Sequence, residues 1–167
     1  MPGHLYTAEV IWRREGEFRN GRYSRGHTWR FDGGVEVPAS ASPTVVPLPH
    51  SVPEAVDPEE AFAAAISSCH MMTFLDFARR DGFLIEAYED RAEAEMHRIA
   101  PGRMGITRVT LRPVMTIIAD SQPDPARLAE LHEKAHEMCF IANSVKCEIV
   151  VAPGPVRLVA PQPHEGT

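Results

Sequence analysis

The chain has 167 residues, 44% of them hydrophobic and 24% charged, which is enough for one domain with a hydrophobic core. A formal net charge of −6 excludes the basic surface that general nucleic-acid binding requires, so we expect no nucleic-acid partner. No run of about 20 apolar residues indicates a membrane partner, and no basic segment followed by an apolar one indicates a signal peptide. Three cysteines are too few for a disulfide scaffold. We therefore expect a single domain, 1–167, in a reducing cytoplasm.

The N-terminal part of the chain predicts a small β-meander. Alternating or β-rich stretches predict three strands, at 4–12, 22–31 and 35–37. Between the first two strands, Asn20-Gly21 is typical of a type I′ hairpin turn. The proline-rich stretch 38–56 then predicts an irregular connector.

The first helix has clear sequence signals at both ends. Asp57 is a good N-cap, Pro58 suits the first turn, and Glu60 completes a capping box. Gly82 is typical of a helix end. Residues at steps of three or four predict the buried face: Phe62, Ile66, Cys69, Thr73 and Phe77.

The second half of the chain predicts strands around one more helix. Two antiparallel strands, 85–99 and 108–119, flank a Pro101-Gly102 turn. A helix follows from Asp124, with its buried face given by Leu128, Leu131, Ala135 and Met138. A last strand at 144–151 precedes a loose tail at 153–167. The order βββ-α-ββ-α-β predicts an α+β fold, with antiparallel sheets packed on two main helices.

Two cysteines on separate helices carry the main chemical signal. Cys69 lies within the first helix, and Cys139 lies where the second helix ends. Such thiols can meet and form a disulfide, which in the cytoplasm is usually transient and catalytic. Cysteine attacks as a thiolate, and the C-terminal end of a helix disfavours that anion. This difference between the two positions favours Cys69 as the nucleophile, with a nearby cation that stabilises its thiolate. The alternative is that Cys69 and Cys139 are both small side chains of the hydrophobic core. We interpret Cys147 as such a core residue.

Two segments, 57–69 and 136–145, carry a resemblance to the OsmC/Ohr family of thiol peroxidases, which reduce organic hydroperoxides. The first resembles the proline-glutamate helix that leads to the peroxidatic cysteine, here Cys69. The second resembles the His-x-x-Cys helix end with the resolving cysteine, here Cys139. The similarity extends over about 4–152. It implies an intertwined homodimer with two active sites at the interface, no cofactor, an organic hydroperoxide substrate and an external dithiol reductant.

The resemblance also implies an arginine that activates the thiolate and a glutamate that orients this arginine. Glu59 stands at the position of the glutamate, and Arg25 is our candidate for the arginine, with Arg22 as the alternative. On one helix, ten residues separate Glu59 from Cys69 by about 15 Å and about 80°. We therefore expect Glu59 to serve the thiol of the partner subunit in a symmetric dimer.

The remaining candidates concern substrate contacts and a competing motif. Apolar side chains near the cysteines predict contacts to the organic group of the substrate: Phe62, Met72 and Phe140. The run His132-Glu133-Lys134-Ala135-His136 matches the HExxH pattern of zinc peptidases, but no third ligand is evident, so we expect no metal. A third possibility is a non-catalytic redox-sensing or binding domain with unreactive thiols. His70 lies next to Cys69, but adjacent helical side chains point about 100° apart.

Overall fold

A computed structural model describes residues 3–161, which divide into two compact units after Phe62. The first unit contains five strands: β1 (Ala8–Ile11), β2 (Gly16–Glu17), β3 (Arg22–Tyr23), β4 (His27–Phe31) and β5 (Glu36–Ala39). Strand β4 lies between β1 and β5 in an antiparallel sheet, and β2 pairs with β3 in a separate ribbon. The predicted connector is irregular from residue 40 to residue 57, but its first two residues, Pro38 and Ala39, belong to β5.

Helix α1 (Pro58–Arg80) leads into the second unit, which also contains helix α2 (Pro125–Met138). Six strands belong to this unit: β6 (Ile85–Asp90), β7 (Glu93–Ala100), β8 (Arg103–Leu111), β9 (Pro113–Ile118), β10 (Glu148–Val151) and β11 (Arg157–Val159). Antiparallel pairs β7–β8 and β6–β9 form the cores of two three-stranded sheets. Strands β10 and β11 extend these sheets in parallel to β8 and β9. The predicted α+β fold class is confirmed.

The ends of α1 follow the sequence signals. The Asp57 carboxylate accepts a hydrogen bond from the Glu60 amide at 2.8 Å, and the Glu60 carboxylate accepts one from the Asp57 amide at 3.2 Å. These reciprocal bonds are the predicted capping box. At the other end, Gly82 has a φ of 87°, which a glycine adopts without steric cost, and its amide donates to the Arg79 carbonyl.

The buried face of α1 differs from the predicted one. Its buried residues are Ala63, Ile66, Cys69, His70, Phe74 and Ala78. The predicted core residues Phe62, Thr73 and Phe77 are only half-buried. The face turns toward His70 because this imidazole has a buried hydrogen-bond partner on α2, which a search for apolar periodicity does not detect.

The buried face of α2 also departs from the prediction at one position. Leu128, Leu131 and Ala135 are buried as expected, and they pack with Phe74 and Met115 in the hydrophobic core. Met138, predicted to point inward, is 57% exposed. Instead, His132 fills the inner face of the helix.

Strands β6 to β9 replace the two long strands that the sequence predicts. The turn at Pro101-Gly102 joins β7 and β8 as expected. Each predicted strand is interrupted, and at the break between β8 and β9 the Arg112 amide donates to the Asp90 carboxylate at 2.6 Å. That side-chain bond replaces a strand-to-strand bond, so the pairing changes from one sheet to the other.

Two turn and tail expectations also differ. A type I′ turn needs a positive φ at both central residues, but no non-glycine residue among those described has one, Asn20 included. Residues Phe18–Asn20 form a 3₁₀ turn instead, and Gly21 takes the left-handed conformation. The tail is not loose throughout, since β11 pairs with β9, whereas 162–167 lie outside the described residues.

Candidate active site

The thiols of Cys69 and Cys139 meet in the second unit. Their Sγ atoms lie 2.7 Å apart, with the Cys139 thiol donating to the Cys69 sulfur. A disulfide bond measures about 2.05 Å, so the two sulfurs are in contact while both thiols remain free. Both side chains are buried. The fold therefore brings two sulfurs from separate helices into direct contact.

Local backbone structure holds each sulfur in place. Cys69 belongs to the buried face of α1, one turn after Ile66. Cys139 is the C-cap of α2, where extended backbone turns the chain away from the helix axis. The Ala142 amide donates to the Cys139 sulfur at 3.4 Å, and the Asn143 amide donates to the Cys139 carbonyl. The chain therefore wraps around the Cys139 sulfur.

The environment of the Cys139 thiol favours its neutral form. Burial, and secondly the hydrogen bond to Cys69, raises the pKa of Cys139 to about 11. Cys139 therefore remains a neutral thiol at physiological pH. This environment suits a group that reacts second, after another sulfur has been oxidised.

A buried histidine pair, not predicted from the sequence, joins α1 and α2. The His70 Nε2 and His132 Nδ1 atoms lie 3.0 Å apart in a buried hydrogen bond between α1 and α2. Their rings are parallel to within 4°, and Phe74 stacks on His132 with ring centroids 4.1 Å apart. Burial lowers the pKa of each of these two histidines to about 4, so both are neutral at pH 7.

The imidazole nitrogens outside this bond are also buried. Within residues 3–161, no hydrogen-bond partner is found for His70 Nδ1, His132 Nε2 or His136 Nδ1. The HExxH pattern does not produce a zinc arrangement in the described part of the chain, because no three metal-ligating side chains group together there. In particular, His132 uses Nδ1 to pair with His70.

The residues predicted to assist the thiolate lie in the first unit. The Arg25 guanidinium stacks on the Tyr23 ring at 3.6 Å and donates to the carbonyls of Gly21 and Tyr23. Glu59, in the first turn of α1, is half-buried. Over residues 3–161, no ion pair joins Glu59 to Arg25 or to the exposed Arg22. The roles of these residues stay predictions.

The predicted substrate contacts are mostly exposed. Phe140 is 78% exposed, Met72 is 61% exposed, and Phe62 is half-buried. The first unit also contains an aromatic cavity of about 370 Å³, lined in part by Arg25, which was not predicted from the sequence. Its aromatic wall consists of Trp12, Phe18 and Tyr23, whose ring centroids lie 4.9 to 6.0 Å apart. Trp12 follows β1, Phe18 lies in the 3₁₀ turn and Tyr23 belongs to β3, so these residues form no local sequence pattern.

Comparisons with known proteins identify the family of the chain. The family model described as OsmC-like protein matches residues 51–153. A solved OsmC-like protein of unknown function from Vibrio cholerae is 46% identical, with a TM-score of 0.87, and the match covers 90% of this chain and 99% of that one.

More distant structures share the fold alone. An organic hydroperoxide resistance protein from Elizabethkingia anophelis is 20% identical with a TM-score of 0.61, over 93% of this chain and 99% of that one. Another from Bacillus subtilis is 22% identical with a TM-score of 0.59, over 93% of this chain and 100% of that one. No curated protein matches the chain. The family model and the Vibrio cholerae structure together show that the chain belongs to the OsmC-like family.

Proposed function

We propose that the protein is a cysteine-based thiol peroxidase that reduces organic hydroperoxides to alcohols. The observation that carries this proposal is the 2.7 Å contact between the Cys69 and Cys139 sulfurs, both of them free and buried. Two thiols in this position can convert two-electron oxidation of one sulfur into a disulfide. The organic hydroperoxide resistance proteins that share the fold support the choice of oxidant.

Cys69 is the attacking sulfur and Cys139 is the resolving one. The Cys69 thiolate attacks the terminal oxygen of the hydroperoxide, the O–O bond breaks, and the alkoxide takes a proton to leave as alcohol. Cys69 then carries a sulfenic acid. The Cys139 sulfur attacks that sulfenic sulfur, the S–O bond breaks, and the Cys139 proton leaves with the hydroxide as water. An external dithiol reduces the disulfide and becomes a disulfide itself.

Arg25 is assigned as the cation that favours the Cys69 thiolate, with Glu59 orienting it. The surroundings of Arg25 also support an organic substrate. A guanidinium at the edge of an aromatic cavity of about 370 Å³ offers one polar anchor beside apolar walls. Hydrogen peroxide has no organic group to fill such a cavity. Phe62, Met72 and Phe140 remain the proposed apolar contacts close to the thiols.

A homodimer is part of the proposal. Helix α1 has the length and composition of a membrane-spanning helix, yet only 28% of its most apolar 18-residue window is buried within the chain. Glu59 and Cys69 belong to this one uninterrupted helix, which keeps them about 15 Å apart along its axis. A second copy, packed against α1 about a two-fold axis, covers apolar surface and brings Glu59 to the thiol of the partner subunit. We place this dimer in the cytoplasm, where dithiol reductants are available.

Peroxide turnover by cysteine variants tests the function. Purified protein is mixed with cumene hydroperoxide and a synthetic dithiol, and the alcohol product is measured. Cys69→Ser should abolish turnover, whereas Cys139→Ser should complete one turnover and then stop with a sulfenic acid that a dimedone probe labels. Cys147→Ser is the matched control and should keep full turnover. Wild-type protein that forms no alcohol would point to a non-catalytic redox-sensing or binding domain.

A further inference from the structure

The aromatic cavity of the first unit has three rings in its lining, those of Trp12, Phe18 and Tyr23. Each ring packs against the other two, with centroids 4.9, 5.6 and 6.0 Å apart, which are separations typical of favourable aromatic contacts. The angles between the ring planes are 38°, 50° and 74°, so no two rings are parallel. The cavity therefore offers both ring faces and ring edges to a ligand.

The three rings differ in their other contacts. The Trp12 indole donates a hydrogen bond to the Ser24 carbonyl at 2.9 Å, and the Arg25 guanidinium covers one face of the Tyr23 ring at 3.6 Å. Phe18 is 52% exposed. Its backbone carbonyl, rather than its ring, accepts the hydrogen bond that closes the 3₁₀ turn. The Phe18 ring is therefore the one that is most available to a ligand.

Arg25 is the polar anchor of the cavity. His27 and Ser40 also line it, but both already have protein partners. The ring nitrogens of His27 bond the Arg25 carbonyl at 2.8 Å and the Trp29 indole at 3.0 Å, and the Ser40 hydroxyl accepts from the Val52 amide. A guanidinium donates through Nε and both Nη atoms, whereas the two bonds from Arg25 to backbone carbonyls use Nη1 alone. In the part of the chain that the structure describes, Nε and Nη2 therefore remain for an oxygen of the ligand.

The cavity borders both residues to which the proposed function gives a role beside the thiolate. Arg25 lines it, and so does Pro58, which directly precedes Glu59 at the start of α1. A hydroperoxide whose oxygens accept hydrogen bonds from Arg25 therefore has this cavity available for its organic group. The volume of about 370 Å³ also lies within the range of about 300–1,000 Å³ that is usual for small-molecule pockets.

We propose that the aromatic cavity selects hydroperoxides whose organic group carries an aromatic ring, and that Phe18 is a specificity-determining residue for them. An aromatic ring that packs edge-to-face or offset on other rings gains stabilisation beyond that of the area it buries. A saturated ring of similar size buries comparable apolar surface but lacks this additional contribution. The inference rests on the proposed peroxidase function, because it assigns the organic group of the substrate of that reaction.

Two hydroperoxides that differ only in the ring test this selection. Cumene hydroperoxide carries a phenyl ring, and its cyclohexyl analogue carries a saturated ring on the same carbon. After correction for the reactivity of each peroxide with a free thiol, wild type should have a kcat/KM about threefold to tenfold higher for the phenyl compound. Phe18→Leu keeps an apolar side chain but removes the ring, so it should lower this preference at least about twofold.

Two further variants separate the ring of Phe18 from a general structural effect. Phe18→Tyr keeps the ring and should retain the preference of wild type. Phe31→Leu is the matched control, because Phe31 is an exposed aromatic residue of β4 that does not line the cavity. This variant should also retain the preference.

Binding of the two product alcohols, measured by calorimetry, separates the cavity from the peroxidase reaction. Wild type should bind cumyl alcohol about threefold to tenfold more tightly than its cyclohexyl analogue, and Phe18→Leu should reduce the difference. Tryptophan emission locates the ligand, since the chain has two tryptophans. The emission change on binding should be lost in Trp12→Phe, which retains Trp29.

Equal kcat/KM values for the two hydroperoxides would overturn the aromatic selection, as would equal losses of preference in Phe18→Leu and Phe31→Leu. An emission change that persists in Trp12→Phe would place the ligand elsewhere and would also overturn it. If neither hydroperoxide is turned over, the peroxidase proposal fails and the alcohols decide alone. Tighter binding of cumyl alcohol that depends on Phe18 then supports the aromatic site, and equal dissociation constants refute it.

Discussion

Acidification should destabilise this protein through its buried histidine pair, in a pH range that few other groups share. His70 and His132 have a pKa of about 4 in the folded chain, against an ordinary value of 6.5. Between these values the unfolded state binds more protons than the folded state. Stability is therefore full above pH 6.5 and falls as the pH drops toward 4.

The size of the effect follows from the two pKa values. Between pH 7 and pH 5, each imidazole removes about 2 kcal/mol from the free energy of unfolding. Asp81 and Glu130, whose pKa values are lowered first by hydrogen bonds to Arg127 and Lys134 respectively, lose their contributions only below about pH 4.5. A loss of stability between pH 6.5 and pH 5 therefore reports on the histidines.

Urea unfolding of the reduced protein, followed by circular dichroism at pH 7 and pH 5, measures this loss. Wild type should lose about 2 to 4 kcal/mol over that interval, and the double variant His70→Gln/His132→Gln should lose clearly less. His97→Gln, which alters an exposed histidine bonded to Thr107, should behave as wild type. Equal losses in wild type and double variant would show that these rings are not held neutral by burial.

Two further predictions concern the dimer and the start of α1. Analytical ultracentrifugation at micromolar concentration should show a homodimer. The variant Glu59→Gln should lower peroxide turnover while the protein remains dimeric. A stable monomer with full activity would refute an active site shared between subunits. Asp57→Ala should lower the free energy of unfolding by about 1 kcal/mol because it removes the capping box. Asp32→Ala, at an exposed turn, is the control for Asp57→Ala in urea unfolding, and equal effects would contradict the capping argument.

The sequence predicted those features of the fold that depend on neighbours along the chain. The capping box at Asp57 and the glycine end at Gly82 need only residues within one turn, so local chemistry determines them. The two cysteines were also found, because each lies in a recognisable segment. The strand breaks were not predicted, since the interruption at Arg112 depends on a carboxylate from a different strand.

The candidate site was predicted only in part, for a related reason. Apolar periodicity assigned half-buried Phe77 to the core of α1 and left out His70, although His70 is 1% exposed. A search for apolar residues at helical spacing counts histidine as polar, so it does not place a histidine in the core. His70 becomes compatible with the core only through its partner, and His132 lies 62 residues away along the chain. Likewise, the HExxH spacing matched a zinc-peptidase pattern, for which we expected no metal, but one helix face alone does not show that His132 is paired with His70 on α1.

The composition of the α1–α2 contact argues that it is maintained for chemistry rather than for stability. A buried polar nitrogen without a partner costs about 1–3 kcal/mol, and the described residues place three such imidazole nitrogens around this contact. Leucine or alanine at these positions would pack the helices without that cost, as Leu131 and Ala135 do on the same helix. Local departures from stable packing concentrate at functional sites. Here the departure lies on the same pair of helices as two thiols in contact, the site of the proposed peroxidase reaction.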